Sequence, residues 1–592
     1  MSKISQFSIK NHPPKMSIAN FYFQSIILGI FASALTGAMP PQNPVQCTQT
    51  GCTLSNSYGV WGDRQPCHVT AAVYPTTEEE LRSAVADASR RKLKVKAVSK
   101  FSHTIPKLAC GSTILISTER YNSSIAVDRA KSTVTADAGV GLRELIDRAA
   151  EEGLSLAAAP YWEGVSVGGA ISTGAHGSSW RGRGGALHDH VVGIRMVVAA
   201  KESEGFAKVV DLRESDELFN AAKVSLGLLG VISKVTFSLE PAFKRSITFN
   251  FTSDVGIEEE FVEHAKRYEF GDIQWYPSRH TAVYRYDDRA PVNASGDGVN
   301  DFIGFQSNNV LIVKSIRASE KAAEKARNTN AKCVLASSFV AYKKLTANGL
   351  KNNGLTFTGY PVVGHQRRMQ TSGSCLYSPE SDKASLCAWD PRIKGLSFFE
   401  STAVFPAGKF AAFVRDVKRL RDAVGPAAFC GADMYNGFLF RFVKGSDAHL
   451  GQPEDSVVVD FNYYRADEAG TPRLHGDVWE EVEQIAFFKY LARPHWGKNR
   501  KVAFFEVGKK FPKFSKFVEA KKRVDPAGIF SSGPSDEIVF GIEDQKGDGC
   551  ALEGLCICSE DRHCSPRDGY FCQRGLVYDE ARVCRYSSTS TS

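Results

Sequence analysis

The chain has 592 residues, of which 43% are hydrophobic and 23% are charged, and its formal net charge is +8. This length exceeds one hydrophobic core, so we expect two or three domains of ordinary globular composition. No run of lysines and arginines is interleaved with aromatic residues, which argues against nucleic-acid binding.

Residues 1–38 have the features of a secretory signal peptide. The apolar run Phe21–Leu35 follows a basic start and precedes small residues. It is shorter than the roughly 20 residues that a membrane span needs, although a signal anchor is the alternative. We therefore expect a protein of the secretory pathway, extracellular (apoplast) or vacuolar, with no membrane contact beyond targeting. Glycosylation sequons begin at Asn122, Asn250 and Asn293.

Residues 58–241 are predicted to form an α+β domain. Thr77 and Glu80 make a capping box that begins a helix with one apolar face. Residues 93–97 then alternate between apolar and basic, as in a half-buried strand. A strand at Thr133–Ala138 leads through a glycine turn into a second helix, and Leu226–Phe237 predicts a glycine turn and a buried strand.

Two loops of this domain are suited to a large dinucleotide ligand. Trp162–Trp180 is rich in glycines, which let the backbone approach a ligand, and in hydroxyl side chains. About 60 residues upstream, Ala97–Cys110 places His103 between a strand and a short polar turn. Peptide N–H groups of such loops can bind a pyrophosphate.

The remaining chain is predicted to contain three further segments. Residues 242–484 combine short strands with amphipathic helices, such as the one carrying Phe410 and Phe413, and are expected to form a substrate or cap domain. Residues 485–541 are rich in core-type residues and are expected to return to the first domain. Residues 542–592 form a cysteine-rich tail.

The chain has 14 cysteines, and six of them lie in this tail. A disulfide framework fits a secreted protein, and six cysteines allow 15 pairings, among which the sequence does not choose. Zinc binding is the alternative, but the pair of Cys-x2-Cys steps typical of such sites does not occur.

Several common catalytic motifs do not occur in the sequence. It contains no G-x-G-x-x-G behind a strand, no P-loop and no H-E-x-x-H, which argues against the corresponding dehydrogenases, nucleotidases and zincins. The His188-Asp189-His190 triplet is interpreted as a structural turn rather than a metal site, and no metal is expected.

Five motifs in this order and spacing carry a family resemblance: AVSKFSHTIPKLAC, VGGAISTGAHG, LGLLGVISKVTF, GFLFRF and RPHWGK. Together they resemble the aldonolactone oxidoreductase branch of the vanillyl-alcohol-oxidase type of FAD flavoproteins, and within it the plant-type L-gulono-1,4-lactone oxidases. The resemblance implies an α+β fold: a PCMH-type FAD-binding domain of two α+β subdomains, an α+β cap domain and a short disulfide-rich tail.

The resemblance also implies a set of FAD-binding residues. His103 occupies the position that links covalently to the flavin, although Phe101 departs from the glycine common there, and a non-covalent loop is the alternative. The other expected positions are Ser99, Lys100, Phe101, Ser102, Thr104, Pro160, Gly168, Gly169, Ser172, Thr173, Gly174, His176, Gly177 and Val231. Pro160 corresponds to a position beside the flavin that is associated with oxygen access, where it would favour an oxidase; a role in shaping the turn is the alternative.

The catalytic residues implied by the resemblance are Lys498, Arg441 and His495. A lysine beside the flavin stabilises the negative charge that develops on reduction, and the planar arginine donates to two substrate oxygens. Relatives carry a glutamate two residues before this arginine, where the chain has Leu439. Glu400 is a candidate for the missing acid.

The activity implied is oxidation of an L-aldono-1,4-lactone, with L-gulono-1,4-lactone as substrate, O2 as acceptor, and L-ascorbate and H2O2 as products. The expected partners are therefore a small sugar lactone and O2. Alternatives are an oxidase or dehydrogenase of other polyols or sugars, and a secreted flavin-fold protein without catalytic activity.

Overall fold

A computed structural model describes residues 45–55, 66–99, 113–302, 306–370, 375–376, 384–387, 390, 398–434, 436–541 and 547–587. The predicted signal peptide, residues 1–38, lies outside the described residues. So do Lys100, Phe101, Ser102, His103 and Thr104.

Residues 45–241 form the N-terminal domain, whose described residues contain four sheets and two long helices. Its strands are β1 Val45–Thr48, β2 Gly51–Leu54, β3 Cys67–Val69, β4 Ala71–Val73, β5 Lys94–Val98, β6 Thr113–Ser117, β7 Ile125–Asp128, β8 Thr133–Asp137, β9 Leu154–Ser155, β10 Val191–Ala199, β11 Ala207–Arg213, β12 Val231–Ser238 and β13 Glu240–Pro241. Its helices are α1 Glu78–Arg90, α2 Leu142–Glu151, α3 Val167–Ser172 and α4 Phe219–Ala222.

Helix α1 begins as its sequence predicts, with one difference. The Thr77 hydroxyl accepts a hydrogen bond from the Glu80 N–H at 3.1 Å, but the Glu80 carboxylate bonds the Thr76 N–H at 2.7 Å instead of the cap residue. The buried face, with Leu81 and Val85, packs in one core with strands β5 and β10. The sheet β4-β6-β5 beside it is parallel, whereas the sheet β11-β10-β12-β8-β7 is antiparallel.

From residue 244 onward, an eight-stranded antiparallel sheet dominates the structure, in the order β21-β14-β16-β15-β24-β25-β23-β26. The strands after the N-terminal domain are β14 Lys244–Ser253, β15 Asp272–Tyr276, β16 Thr281–Ala290, β17 Val299–Asn300, β18 Asn308–Asn309, β19 Leu350–Asn352, β20 Leu355–Thr356, β21 Val362–His365, β22 Ser385–Leu386, β23 Phe398–Pro406, β24 Phe438–Val443, β25 Ser456–Tyr464 and β26 Arg493–Pro494. The helices are α5 Ile257–Arg267, α6 Val310–Lys325, α7 Thr329–Leu345, α8 Gln366–Met369, α9 Ala407–Val424, α10 Cys430–Asp433, α11 Gly476–Gln484, α12 Val507–Lys510, α13 Phe514–Val524 and α14 Gly533–Phe540. Every residue of β25 is buried, because the core covers one face of this part of the sheet and a cavity wall forms the other.

The path of residues 485–541 differs in part from the predicted return to the first domain. Strand β26 first extends the eight-stranded sheet by pairing with β23. The chain reaches the N-terminal domain only later, where Phe530 bridges Val95 and the Lys521 ammonium donates to the Leu228 carbonyl at 3.1 Å. The segment therefore joins the two domains.

The tail is a separate small core held by disulfides. Its six cysteines pair as Cys550–Cys556, Cys558–Cys572 and Cys564–Cys584. The disulfide interpretation of the tail is thus confirmed. Strands β27 Tyr570–Arg574 and β28 Arg582–Tyr586 form its hairpin.

Two other features considered in the sequence are the His188-Asp189-His190 triplet and possible membrane-spanning segments. His188 and His190 are buried in a short turn, where the His190 ring bonds the Gly184 carbonyl at 3.0 Å. Among the described helices, none has the length and apolarity needed to cross a bilayer.

Candidate functional site

A cavity of about 1000 Å³ lies between the N-terminal domain and the eight-stranded sheet. Eleven of the predicted site residues line it: Ser99, Pro160, Gly168, Gly169, Ser172, Thr173, His176, Val231, Arg441, His495 and Lys498. Gly174 and Gly177 are neighbours of these residues in the chain but do not line the cavity. Gly174 ends helix α3 at a φ of 69°, and a methyl group at Gly177 would meet the Ala159 carbonyl oxygen at 2.7 Å.

The N-terminal domain contributes closely packed backbone to this cavity. The Ser166 hydroxyl caps helix α3 by accepting from the Gly169 N–H at 3.2 Å. Gly168 is required for the packing behind it, since a methyl group there would lie 2.8 Å from Cβ of Ala138. The glycines of this loop thus let α3 lie directly against strand β8, with its first turn on the cavity wall.

The opposite wall is one face of three neighbouring strands. Leu439 and Arg441 of β24, Asp460 of β25 and Glu400 of β23 all line the cavity. Leu439 is directly opposite Asp460, and Asp460 is in turn directly opposite Thr402. Residues opposite each other and residues two apart share a face of a sheet, so the predicted arginine lies beside two buried carboxylates.

Four charged side chains form a connected cluster on this wall. Arg441 forms an ion pair with Asp460 through Nη2, and Nζ of Lys498 lies 3.2 Å from the other oxygen of Asp460. The same ammonium lies 3.0 Å from Oε1 of Glu400. Each buried cation therefore has a carboxylate partner, which burial requires.

The cluster fixes the charge states of its members. Burial alone would raise the pKa of Asp460, but Arg441 and Lys498 hold it far below its ordinary value. Burial opposes the charge on Lys498, yet Asp460 and Glu400 raise its pKa above the ordinary value. Burial raises the pKa of Glu400, and Lys498 opposes that shift. Lys498 therefore remains a cation at neutral pH.

The two cavity histidines are neutral and have opposite hydrogen-bonding roles. Burial and the neighbouring Lys498 lower the pKa of His495 to about 3, and burial with Arg441 lowers the pKa of His176 well below its ordinary value. His495 Nδ1 accepts from the Gly497 N–H at 3.0 Å, which leaves the proton on Nε2. His176 Nδ1 lies 2.9 Å from the Gly177 carbonyl oxygen and must donate to it, so its Nε2 is an acceptor.

The loop that carries Lys498 is anchored by Trp496. The indole N–H donates to the Leu450 carbonyl at 2.9 Å, and the ring stacks on Phe504 and Phe511 at centroid distances of 5.9 and 4.9 Å. The Lys498 N–H donates to the His495 carbonyl at 3.2 Å, closing a turn. The ammonium group is thus held by packing as well as by charge.

Sequence reasoning missed Tyr161 and its partners beside the arginine. The guanidinium of Arg441 lies 5.0 Å from the Tyr161 ring centroid, and that of Arg285 lies 5.6 Å from it. The Tyr161 hydroxyl donates to Asp272, which Arg285 also contacts at 3.3 Å. Burial raises the pKa of Tyr161 above its ordinary value, so the ring is a neutral platform.

The residues present are suited to FAD. The cavity volume is at the upper end of the roughly 300–1,000 Å³ of ligand sites, as a dinucleotide requires. Among the described residues, Ser99 Oγ, Arg441 Nε and His176 Nε2 are buried without a hydrogen-bond partner, and all three residues line the cavity. Buried polar groups are normally paired, so these atoms are available to a ligand.

Known protein families match the segments that form both walls of the cavity. An FAD binding domain model matches residues 69–202, a D-arabinono-1,4-lactone oxidase model matches residues 396–537, and an L-gulonolactone oxidase 2-like C-terminal domain model matches residues 547–586. The FAD-binding match contains helix α3 and its glycines, and the lactone oxidase match contains the whole charged cluster. The protein is therefore an FAD-binding protein.

Full-length relatives and a solved structure agree with these matches. The chain is 62% identical to L-gulonolactone oxidase 3 of Arabidopsis thaliana, covering 95% of this chain and 97% of that protein. It is 46% identical to L-gulonolactone oxidase 2 of the same plant, covering 92% and 94%. A solvent-stable cholesterol oxidase shares the fold with a TM-score of 0.62 at 15% identity, covering 85% of this chain and 100% of that one. The chain belongs to the L-gulonolactone oxidase family.

Proposed function

We propose that this protein oxidises L-gulono-1,4-lactone to L-ascorbate, with O2 reduced to H2O2. The observation that carries the proposal is the Arg441–Asp460–Lys498–Glu400 cluster on the wall of the FAD cavity. The reaction balances, because the lactone loses two hydrogens as its carbinol becomes a ketone, and O2 gains them. The resulting 2-keto lactone then enolises.

The cofactor supplies the hydride acceptor when it is bound. The chain supplies orientation and charge. Arg441 has its Nε without a partner among the described residues, and its planar fork suits the oxygens of a lactone. Lys498 provides a fixed positive charge at the cavity wall, where negative charge develops during oxidation of an alcohol.

The neutral histidines add hydrogen bonds without adding charge. His495 presents Nε2–H as a donor, and His176 presents Nε2 as an acceptor, with ring centroids 5.3 Å apart. A polar substrate or cofactor group between them would find one partner of each kind. Trp496 keeps His495 and Lys498 in place by burying the loop between them.

A panel of lactones and alditols, followed with an O2 electrode and an H2O2 assay, tests the proposal. We expect L-gulono-1,4-lactone to have the highest kcat/KM, with one H2O2 formed per O2 consumed. Turnover with a dye but not with O2 would instead indicate a dehydrogenase.

The second candidate is oxidation of another polyol or sugar, and Leu439 is the observation that favours it. This apolar side chain lines the cavity at a position where the family resemblance implies a glutamate. A preference for an alditol over every lactone in the same panel would support this candidate.

We further propose that the protein is secreted to the apoplast or vacuole, glycosylated, and linked to FAD through His103. The six tail cysteines in disulfides support an oxidising compartment, and the sequon residues Asn122, Asn250 and Asn293 are exposed. Mass spectrometry of the acid-denatured protein tests all three features. It should show a cleaved N-terminus, glycan at the sequons and flavin on the peptide containing His103.

A further inference from the structure

Asp460 explains why an apolar residue stands at position 439. The two residues are directly opposite on neighbouring strands and both line the cavity. Like charges in directly opposite positions destabilise a sheet, so a glutamate at 439 would repel Asp460. An acid that contacts the substrate would therefore have to come from another strand of this wall.

Both carboxylate oxygens of Asp460 already have hydrogen-bond partners. One of its oxygens accepts from Arg441, and the other accepts from Lys498 and from the Thr402 hydroxyl. These bonds hold Arg441 and Lys498 side by side, which makes Asp460 a positioning residue.

Glu400 differs from Asp460, because one of its carboxylate oxygens has no hydrogen-bond partner among the described residues. Its Oε1 contacts Lys498 at 3.0 Å, whereas its Oε2 is buried and has no hydrogen-bond partner among the described residues. The side chain is 9% exposed and lies on the cavity wall, directly opposite Asn462, which is two residues from Asp460 on β25. A carboxylate oxygen in this position needs a donor, and a sugar hydroxyl provides one.

We propose that Glu400 is the residue that binds a substrate hydroxyl in this chain, through its unpartnered oxygen on the cavity wall. The inference rests on the proposed function, since it requires a polyhydroxylated substrate beside Arg441. It makes Glu400 a determinant of which hydroxyl pattern is accepted. Lys498 then has two roles, because it also orients the carboxylate.

The test uses the FAD-loaded full-length protein and the variant Glu400→Gln. We expect KM for L-gulono-1,4-lactone to rise about 10- to 100-fold, the loss typical of a hydrogen bond to a charged group, while kcat falls less. Lactones lacking the 3-, 5- or 6-hydroxyl identify the group that is bound. For one of them, the wild type and the variant should have the same KM.

Glu269→Gln is the matched control. The Glu269 side chain is 11% exposed and forms an ion pair with Arg289 at 2.8 Å, but it does not line the cavity. The KM values of the Glu269→Gln variant should equal those of the wild type. Should Glu400→Gln fail to fold, Glu400→Asp keeps the charge beside Lys498 and withdraws the acceptor by one methylene, and the same rise in KM is expected.

Binding of the inert 2-deoxy lactone, measured by the change in the flavin spectrum, distinguishes failure of the proposed function from failure of the role proposed for Glu400. A wild type that neither binds nor oxidises any lactone would refute the proposed function. A wild type that does both, with a Glu400→Gln variant of unchanged affinity, would refute only the role of Glu400. An equal rise in KM for all deoxy lactones would also refute it, because a merely structural role predicts that result.

Discussion

At the scale of single residues, the site is a neutral cluster built from two cations and two carboxylates. Arg441 and Lys498 remain charged in a buried position because Asp460 and Glu400 compensate them. The histidines stay neutral because burial, together with the neighbouring cations, lowers the pKa of His495 and of His176. The chemistry therefore depends on fixed charges more than on groups that titrate near neutral pH.

Lys498→Ala should lower kcat about 10²- to 10³-fold, the cost of removing one fixed donor from a site where negative charge develops. Steady-state kinetics at saturating lactone measure this effect. Lys418→Ala is the control, because Lys418 is also partly buried and ion-paired, with Glu258, but lies off the cavity wall. Equal losses in the two variants would contradict the role of Lys498.

His495 should make the fold less stable in acid. Its pKa in the folded protein is about 3 against an ordinary 6.5, so below pH 6.5 the unfolded chain binds a proton that the folded chain does not. Stability should fall by about a factor of ten in the folding equilibrium for each pH unit between 6.5 and 3. Denaturant unfolding of the wild type and His495→Asn should show a steeper decline for the wild type; parallel curves would contradict the neutral state.

The sequence identified most of these residues, but not their connections. Arg441, His495 and Lys498 were predicted from motifs and all three line the cavity. Asp460 was missed, although a single acid inside the apolar strand Ser456–Tyr464 was a visible signal. Its pairing with Arg441 depends on strand register, and local sequence does not specify which strands are neighbours.

At the scale of elements, the site depends on three strands and one short helix that meet across the cavity. Strands β23, β25 and β24 present alternate side chains to it, so their register sets the spacing of the cluster. Helix α3 closes the other wall, and its glycines allow close packing on β8. The helix predicted to begin at Thr77 and the buried strand predicted within Leu226–Phe237 occur as α1 and β12, because caps and periodicity are local signals.

Gly168→Ala should reduce the FAD content of the purified protein, since its new methyl group would lie 2.8 Å from Cβ of Ala138 and push α3 away from β8. The ratio of flavin to protein absorbance measures this effect. Gly408→Ala serves as the control, because a methyl group at Gly408 meets no other atom within 4 Å and alanine favours a helix. Full flavin content in Gly168→Ala would contradict the packing argument.

At the scale of the whole molecule, the tail is attached to the lactone side of the site. Glu481 of α11 accepts from the backbone N–H groups of Leu576, Val577 and Tyr578. Arg500, two residues after Lys498, lies over Trp479 of the same helix and also donates to the Leu552 carbonyl of the tail at 3.4 Å. The tail thus supports the segment that follows Lys498. The sequence predicted the disulfides of the tail. It did not predict the contact of the tail with Glu481, because the residues that meet there are 95 to 97 positions apart in the chain.

Glu480 should make the attachment of the tail less stable as pH rises from 4.5 towards 8. Burial raises the pKa of Glu480 to about 8, although the neighbouring Arg500 opposes this shift. The Glu480 carboxyl group accepts a hydrogen bond from the Cys584 N–H of the tail at 3.0 Å. A raised folded pKa contributes stability that is present below pH 4.5 and is lost as pH rises towards 8. Glu480→Gln should therefore match the wild type at pH 4.5 and exceed it in unfolding free energy at pH 8. A variant that is less stable at pH 8 would contradict this assignment.

The most direct test of the central claim is anaerobic mixing of the purified, FAD-loaded protein with L-gulono-1,4-lactone while the visible absorbance of the flavin is followed. Bleaching in the wild type, slowed in Lys498→Ala and Arg441→Ala and reversed by O2 with formation of H2O2, is the predicted result. A flavin that stays oxidised with every lactone tested would contradict the account.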